Sequence, residues 1–402
     1  LAEKEREMKL TEETPFFFIY SVWTKNGEYR EQVKRLVTDY DNYISLKLAG
    51  DDEYLSEKMV GYPAELDEVY AESFEEQKKE WFSCVGDGIQ ECRNTWEHKK
   101  WNITDFPEFE LAITIDRPEL YYNFLQKDWT RFCHDYWKNN FLEHHTLSKK
   151  RVTRIYIGNQ FCHNLFPKKK SLFQVLEKAL ENNLAVTLAF SYIRNHLLEE
   201  IDELLQELEV WCQSREKEAG KDQEEIIVND WAMPILLQGK PHLKPVLGVL
   251  LNKRRKDVRL PYKHGIGNHV DSLAENNLNC GFYQDYLKNT FDIQRFEFES
   301  CGYKVTIPDG HHSLHLPFFQ TNTSQYCTLY AVCRYGDRGK QKLTENCPRY
   351  CNKKVFLYPK HLKMVGRYNS LFGYDEKILW DEKQLQDYLE QGIDRIVVNV
   401  SL

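Results

Sequence analysis

From about residue 108 onward the chain repeats one pattern: a short apolar or β-branched run, then a longer stretch with helical spacing. The runs are Glu110–Asp116 (ELAITID), Arg154–Gly158 (RIYIG), Ala185–Tyr192 (AVTLAFSY) and Glu225–Asp230 (EIIVND). Then come Pro245–Leu251 (PVLGVLL), Ile293–Glu299 (IQRFEFE), Tyr303–Pro308 (YKVTIP) and Arg395–Val400 (RIVVNV). Most are continuously apolar, as parallel strands covered on both faces are. Between them, Pro118–Trp129 begins with a proline suited to a first helical turn. Ser171–Asn183 carries an apolar face at Leu172, Val175, Leu176 and Leu180, and Asn195–Cys212 carries a longer one from Leu197 to Trp211. Asp381–Gly392 stops at a glycine.

Alternation of this kind predicts an α/β fold, a TIM-barrel-like (β/α)8 domain over 108–402 or a distorted relative of it. The sixth and seventh runs are joined only by Ser300-Cys301-Gly302, too short for a helical crossover. That pair is therefore antiparallel, or one of the two runs is not a strand. Residues 1–107 break the pattern. They hold the run Phe16–Trp23 (FFFIYSVW), a helical stretch around Glu28–Leu48 and acidic, aromatic segments such as ESFEEQKKEW. They are read as an added N-terminal α/β or helical domain, either a collar on the barrel or a partner surface.

The first residues, LAEKEREMKL, show no apolar signal core, and no run approaches the ~18 apolar residues of a membrane span. A cytoplasmic protein with reduced thiols is expected. The net charge of -8 argues against general affinity for nucleic acid, which needs a basic face. One local basic run stands out, Asn252-Lys253-Arg254-Arg255-Lys256. Arginine forks suit carboxylates, so Arg254 and Arg255, with Lys253 beside them, are candidates for binding a small anionic substrate. A solvated loop or a salt bridge to the acidic N-terminal part is the plainer reading. Lys168-Lys169-Lys170 is a second basic stretch.

Four of the chain's 11 cysteines, Cys327, Cys333, Cys347 and Cys351, fall close together after the seventh run. Loops that follow barrel strands build active sites, and Cys162 follows the second run directly. In a reduced compartment clustered cysteines point to metal. Structural zinc favours C-x2-C knuckles, and none occurs; Cys347 and Cys351 form a C-x3-C pair. A [4Fe–4S] cluster tolerates scattered thiolates. The remaining cysteines read as small buried hydrophobes. Strand ends would bring Asp116, Asn159, Tyr192, Asn229, Asp230, Glu299 and Asp309 to the mouth, followed by His311 and His312. Each has an ordinary reading too, Asp230 as a helix cap and the histidines as hydrogen-bonded loop residues. No catalytic residue is singled out.

The segments RIYIGNQFC, EIIVNDWAMPILL, PVLGVLLNKRRKDVRL, HLPFFQTNTSQYC and CPRYC, in that order, resemble peptidase family U-thirty-two, the collagenase-like peptidases. That family includes iron–sulfur hydroxylases of anaerobic ubiquinone biosynthesis. The resemblance covers about 108–402 and leaves out the first 107 residues. It implies a TIM-barrel-like fold, a [4Fe–4S] cluster on four cysteines, and oxygen-independent hydroxylation with prephenate as oxygen donor. It also implies pairing with a related barrel subunit as a heterodimer. Cys162, Cys347 and Cys351 match family ligands. HLPFFQTNTSQYC points to Cys327 as the fourth, whereas the C-x13-C-x3-C spacing points to Cys333. Two other functions stay open, a collagenase-like peptidase and a non-catalytic scaffold with a structural metal site. The sequence holds neither G-x-S-x-G nor H-E-x-x-H.

Overall fold

The computed structural model describes residues 106–219, 224–258, 274–337, 339, 340, 342–344, 346–357 and 363–400. Of the N-terminal part it describes 6–13, 18–29, 31, 69, 70 and 79. The expected helix over 28–48 and the ESFEEQKKEW segment lie almost wholly outside the described residues. There, β1 (Arg6–Glu13) and β2 (Phe18–Thr24) form an antiparallel hairpin, and β3 (Val69–Tyr70) is a short strand considered below.

The barrel starts with β4 (Glu110–Ile115), α1 (Pro118–Gln126) and α2 (Trp129–Asn139). The expected single helix over 118–129 ends at Gln126, because Asp128 caps a new one by accepting from Arg131 N at 2.9 Å. Next come β5 (Arg154–Gly158), α3 (Lys169–Glu181), β6 (Ala185–Ala189) and α4 (Leu198–Ala219). They are followed by β7 (Glu224–Val228), α5 (Ala232–Leu236), β8 (Leu243–Leu247) and α6 (Gly281–Phe291). Then β9 (Glu297–Glu299) and β10 (His312–Leu316) lead into an insertion made of β11 (Phe318–Thr323), α7 (Thr328–Tyr335), β12 (Val355–Leu357), β13 (Met364–Arg367) and β14 (Ser370–Tyr374). Finally α8 (Glu382–Glu390) and β15 (Ile393–Val398) complete the barrel.

Eight parallel strands line up as β8-β7-β6-β5-β4-β15-β10-β9. A parallel bridge between Leu247 and Phe296, with Leu247 N donating to Arg295 O at 3.0 Å, brings the two edges together. The sheet is thus a nearly closed, TIM-like barrel with its strands in sequence order. The seventh strand is His312–Leu316; Tyr303–Pro308, expected as a strand, is a loop. This removes the short-turn problem, since β9 and β10 are parallel and joined by a 12-residue connection.

Alternation along each strand separates two apolar sets. Leu111, Ile113, Ile115, Ile155, Ile157, Leu188, Ile226, Leu314 and Ile396 point outward and join the helices in the main core. Leu172, Val175, Leu176 and Ala179 of α3 meet them at i, i+3, i+4 and i+7. Each such side chain contributes roughly 1.5–3 kcal/mol by burial. Inside the barrel, Ala112, Tyr156, Ala189, Ile227, Val246 and Val397 make a separate small cluster. Polar residues fill the rest of the interior.

The insertion between the seventh and eighth barrel strands forms a five-stranded sheet, β11-β14-β13-β12-β3. Its last strand comes from the N-terminal part: Val69 pairs with Phe356 and Tyr70 with Val355.

Candidate metal centre and barrel mouth

Cys162 is positioned by the end of the second barrel strand. Gly158 turns the chain at φ +112, where an added Cβ would lie 2.4 Å from Ala189 O. Asn159 Oδ1 then accepts from Phe161 N and Cys162 N, both at 2.9 Å, and fixes the thiol-bearing turn. The insertion supplies the other three. Cys327 stands at the N-cap of α7, where Sγ accepts from Tyr330 N at 3.3 Å and donates to Tyr368 O at 3.1 Å. Cys347 Sγ accepts from Arg349 N at 3.4 Å. Cys351 is buried, and Arg367 holds its carbonyl with two bonds of 3.1 and 2.9 Å.

The electrostatics show which thiols are neighbours. Burial pushes the Cys162 thiol up to about 12, and charge on Cys351 and Cys347 pushes the same way. Burial also raises Cys327, with Cys162, Cys351 and Cys347 adding to the shift against the Tyr330 N–H. Burial raises Cys351 to about 11, opposed by Arg367 and reinforced by Cys347. Cys333 is raised by burial alone and feels only Lys354. Cys162, Cys327, Cys347 and Cys351 thus lie within electrostatic reach of one another, and Cys333 is not among the charges that shift them. Six residues of helix after the N-cap put Cys333 about 120° round the helix from Cys327.

As they stand, no three or more His, Cys, Asp or Glu side chains among the described residues are arranged to hold a metal ion. The four thiols are electrostatic neighbours without being drawn around one point. A single zinc, with each sulfur at ~2.3 Å, needs the tighter grouping; a cluster of several irons sets its thiolates at separate corners. Around the four thiols stand backbone N–H groups from Asn164, Tyr330 and Arg349 directed at sulfur and the guanidiniums of Arg194, Arg349 and Arg367. Those groups would stabilise the thiolate charge that burial opposes.

A cavity of about 720 Å³ opens beside this centre over the fourth and fifth barrel strands. Arg254 and Arg255 both line it. Arg254 is buried, however, with Nη1 2.8 Å from Cys301 Sγ and Nη2 on Glu299 O. Arg255 pairs with Asp257 at 3.3 Å. Asp230 is a cap: Oδ1 accepts from Ala232 N and Met233 N at 3.0 Å, and Oδ2 takes Ile193 N. Lys169 and Lys170 open α3, with Lys169 on Glu207. The segment Asp309-Gly310-His311-His312 does not reach the mouth. Since the seventh strand begins at His312, the segment lies at the opposite end of the barrel, with His311 on Asp394 and the His312 ring stacked on Phe296.

A smaller cavity at the barrel axis is lined by Thr114, Tyr156, Glu299, His315, Phe161 and Phe372 among others. Phe161, one residue before Cys162, meets Phe372 edge-on at 4.9 Å and forms the wall towards the thiols. Tyr156, Glu297, His315 and Lys256 had no signal as a group in the sequence. Glu297 and His315 alternate with apolar neighbours, which was the available clue to inward-facing polar positions.

No protein-family model, curated protein or solved structure matches the chain. Among the described residues no helix is long and apolar enough to cross a membrane.

Proposed function

We propose that the chain is an iron–sulfur protein that carries a [4Fe–4S] cluster on Cys162, Cys327, Cys347 and Cys351. The observation that supports this reading is that thiols from two loops at the C-terminal end of one barrel, 165 residues apart between Cys162 and Cys327, lie within electrostatic reach of one another. The cluster would supply electron transfer or Lewis-acid chemistry beside the mouth. The family resemblance extends the reading to oxygen-independent hydroxylation, with this chain as catalyst or as one subunit of a pair of related barrels. Of the basic run, Arg255 is paired with Asp257 and Lys256 with Glu299, so a small anionic substrate would compete with those carboxylates for them.

Anaerobic purification followed by iron analysis and visible spectroscopy is the test. About four iron per chain and a broad brown absorption are expected, because zinc is colourless. Equal iron in a Cys347→Ala, Cys351→Ala double variant would refute the assignment. Native mass measurement tests the pairing, for which a monomer with full activity is the adverse result.

A further inference from the structure

His315 is the fourth residue of β10 and points into the barrel, 2 % exposed. Its Nε2 lies 2.5 Å from Glu297 Oε2 on the neighbouring strand. Glu297 is fully buried, and both its carboxylate oxygens accept from Tyr156 Oη, at 3.1 and 3.2 Å. Tyr156 Oη in turn accepts from Arg395 Nη1 at 3.1 Å, and Arg395 is anchored on Glu225 and Glu110. The imidazole is therefore fixed by a chain of bonds running down the axis. Among the described residues no hydrogen bond reaches its Nδ1, and the ring lines the axial cavity.

That cavity, of about 40 Å³, shares one lining residue with the 720 Å³ cavity. Val249 lines both. Lys256, which lines the outer one, bonds at 2.6 Å to Glu299, which lines the inner one. The outer cavity is lined by Lys253, Arg254, Arg255 and Lys256 and by Asp230 and Asp257; Arg255 is paired with Asp257, and Lys256 with Glu299. A small organic anion that displaces Glu299 from Lys256 would place its charge there and its reactive end towards Val249 and the axial cavity.

We infer that His315, oriented by Glu297, is the proton-transfer residue of a site in the barrel mouth that takes small organic anions. The Nδ1 lone pair accepts a proton from the bound molecule, the positive charge on the ring is balanced by the Glu297 carboxylate, and Nδ1 returns the proton later in the cycle. No other group changes its bonding. This is the arrangement in which a buried carboxylate sets the orientation of a histidine base. The inference does not rest on the thiols, so loss of iron and loss of this site are separate results.

Full-length protein with ¹⁵N-labelled histidine provides the test, using malonate as the probe and His315→Gln to identify the resonance. The expected result is an Nε2 that stays protonated and an Nδ1 signal that shifts saturably with malonate. In Lys256→Met the malonate affinity should fall at least about tenfold, through loss of a charge-assisted bond and release of the Glu299 carboxylate. A purely structural His315 would show no response. An Nδ1 signal unmoved by malonate, or moved with equal affinity in Lys256→Met, overturns the inference.

Discussion

The two ends of the barrel use their polar groups differently. At the N-terminal end each buried charge meets another. Arg395 bonds to Glu110 at 2.6 Å and to Glu225 at 2.7 and 3.0 Å, while Arg154 spans the same two carboxylates at 2.9 and 3.3 Å. At the C-terminal end the thiols are shifted away from ionisation, a histidine lines a cavity, and a lysine–carboxylate pair has one member on each of two cavities. Both ends are polar, but the ion-pair network of Arg395, Arg154, Glu110 and Glu225 belongs to the first. A closed network holds the strands in register; an incomplete one is available to a ligand. That division matches the general separation of stability and chemistry along such barrels.

Removing the centre of the closed network should have the largest effect. Arg395→Met leaves Glu110 and Glu225 without their main cation and should destabilise the fold by about 3–5 kcal/mol, read by urea unfolding. A loss below about 1 kcal/mol would mean that the network is not a structural device.

The same network should fail in acid. Burial would raise the Glu225 carboxyl, but Arg395 and Arg154 outweigh it and hold the group at about 2, below its ordinary 4.5. A depressed carboxyl contributes its full stability above its unfolded pKa. That contribution should therefore be complete above about 4.5 and disappear as the pH falls towards about 2. Unfolding measured across this window should be steeper in the wild type than in Glu225→Gln; parallel curves would contradict the assignment.

Tyr156→Phe sharpens the comparison at the junction of the two ends, because its hydroxyl joins Arg395 to Glu297. A loss of about 1–3 kcal/mol is expected from the unsatisfied carboxylate. The His315 resonance should shift at the same time, since its orienting partner has changed.

Much of the barrel was legible. β4 to β8 are apolar enough to be read directly, and α3 and α8 follow their spacing and caps. The seventh strand was not, because HSLHL is polar on the face that turns into a polar barrel, with Ser313 and His315 inside. YKVTIP has strand-like residues, yet Thr306 N bonds to Ala274 O outside any ladder. Among the cysteines, density in the sequence located the cluster, while the choice between Cys327 and Cys333 required the helix that separates them. The His315–Glu297 pair joins two strands through the barrel interior, which no local spacing records.

The smallest effect is expected from the N-terminal part. Among the described residues its links to the cysteine-bearing insertion include the edge pairing of Val69–Tyr70 with Val355–Phe356 and contacts of that strand with α7. Deleting residues 1–105 should leave iron content unchanged, measured on the soluble truncated chain beside the full one. A soluble truncation without iron would place part of the metal site in that region.

Iron per chain in Cys327→Ala and Cys333→Ala, purified anaerobically side by side, tests the grouping of thiols most directly. Cys327 shares its surroundings with Cys162, Cys347 and Cys351, whereas Cys333 feels only Lys354. Cys333→Ala should keep about four iron and its brown absorption, and Cys327→Ala should lose most of both. Full iron in Cys327→Ala, or loss in Cys333→Ala alone, would contradict the proposed centre.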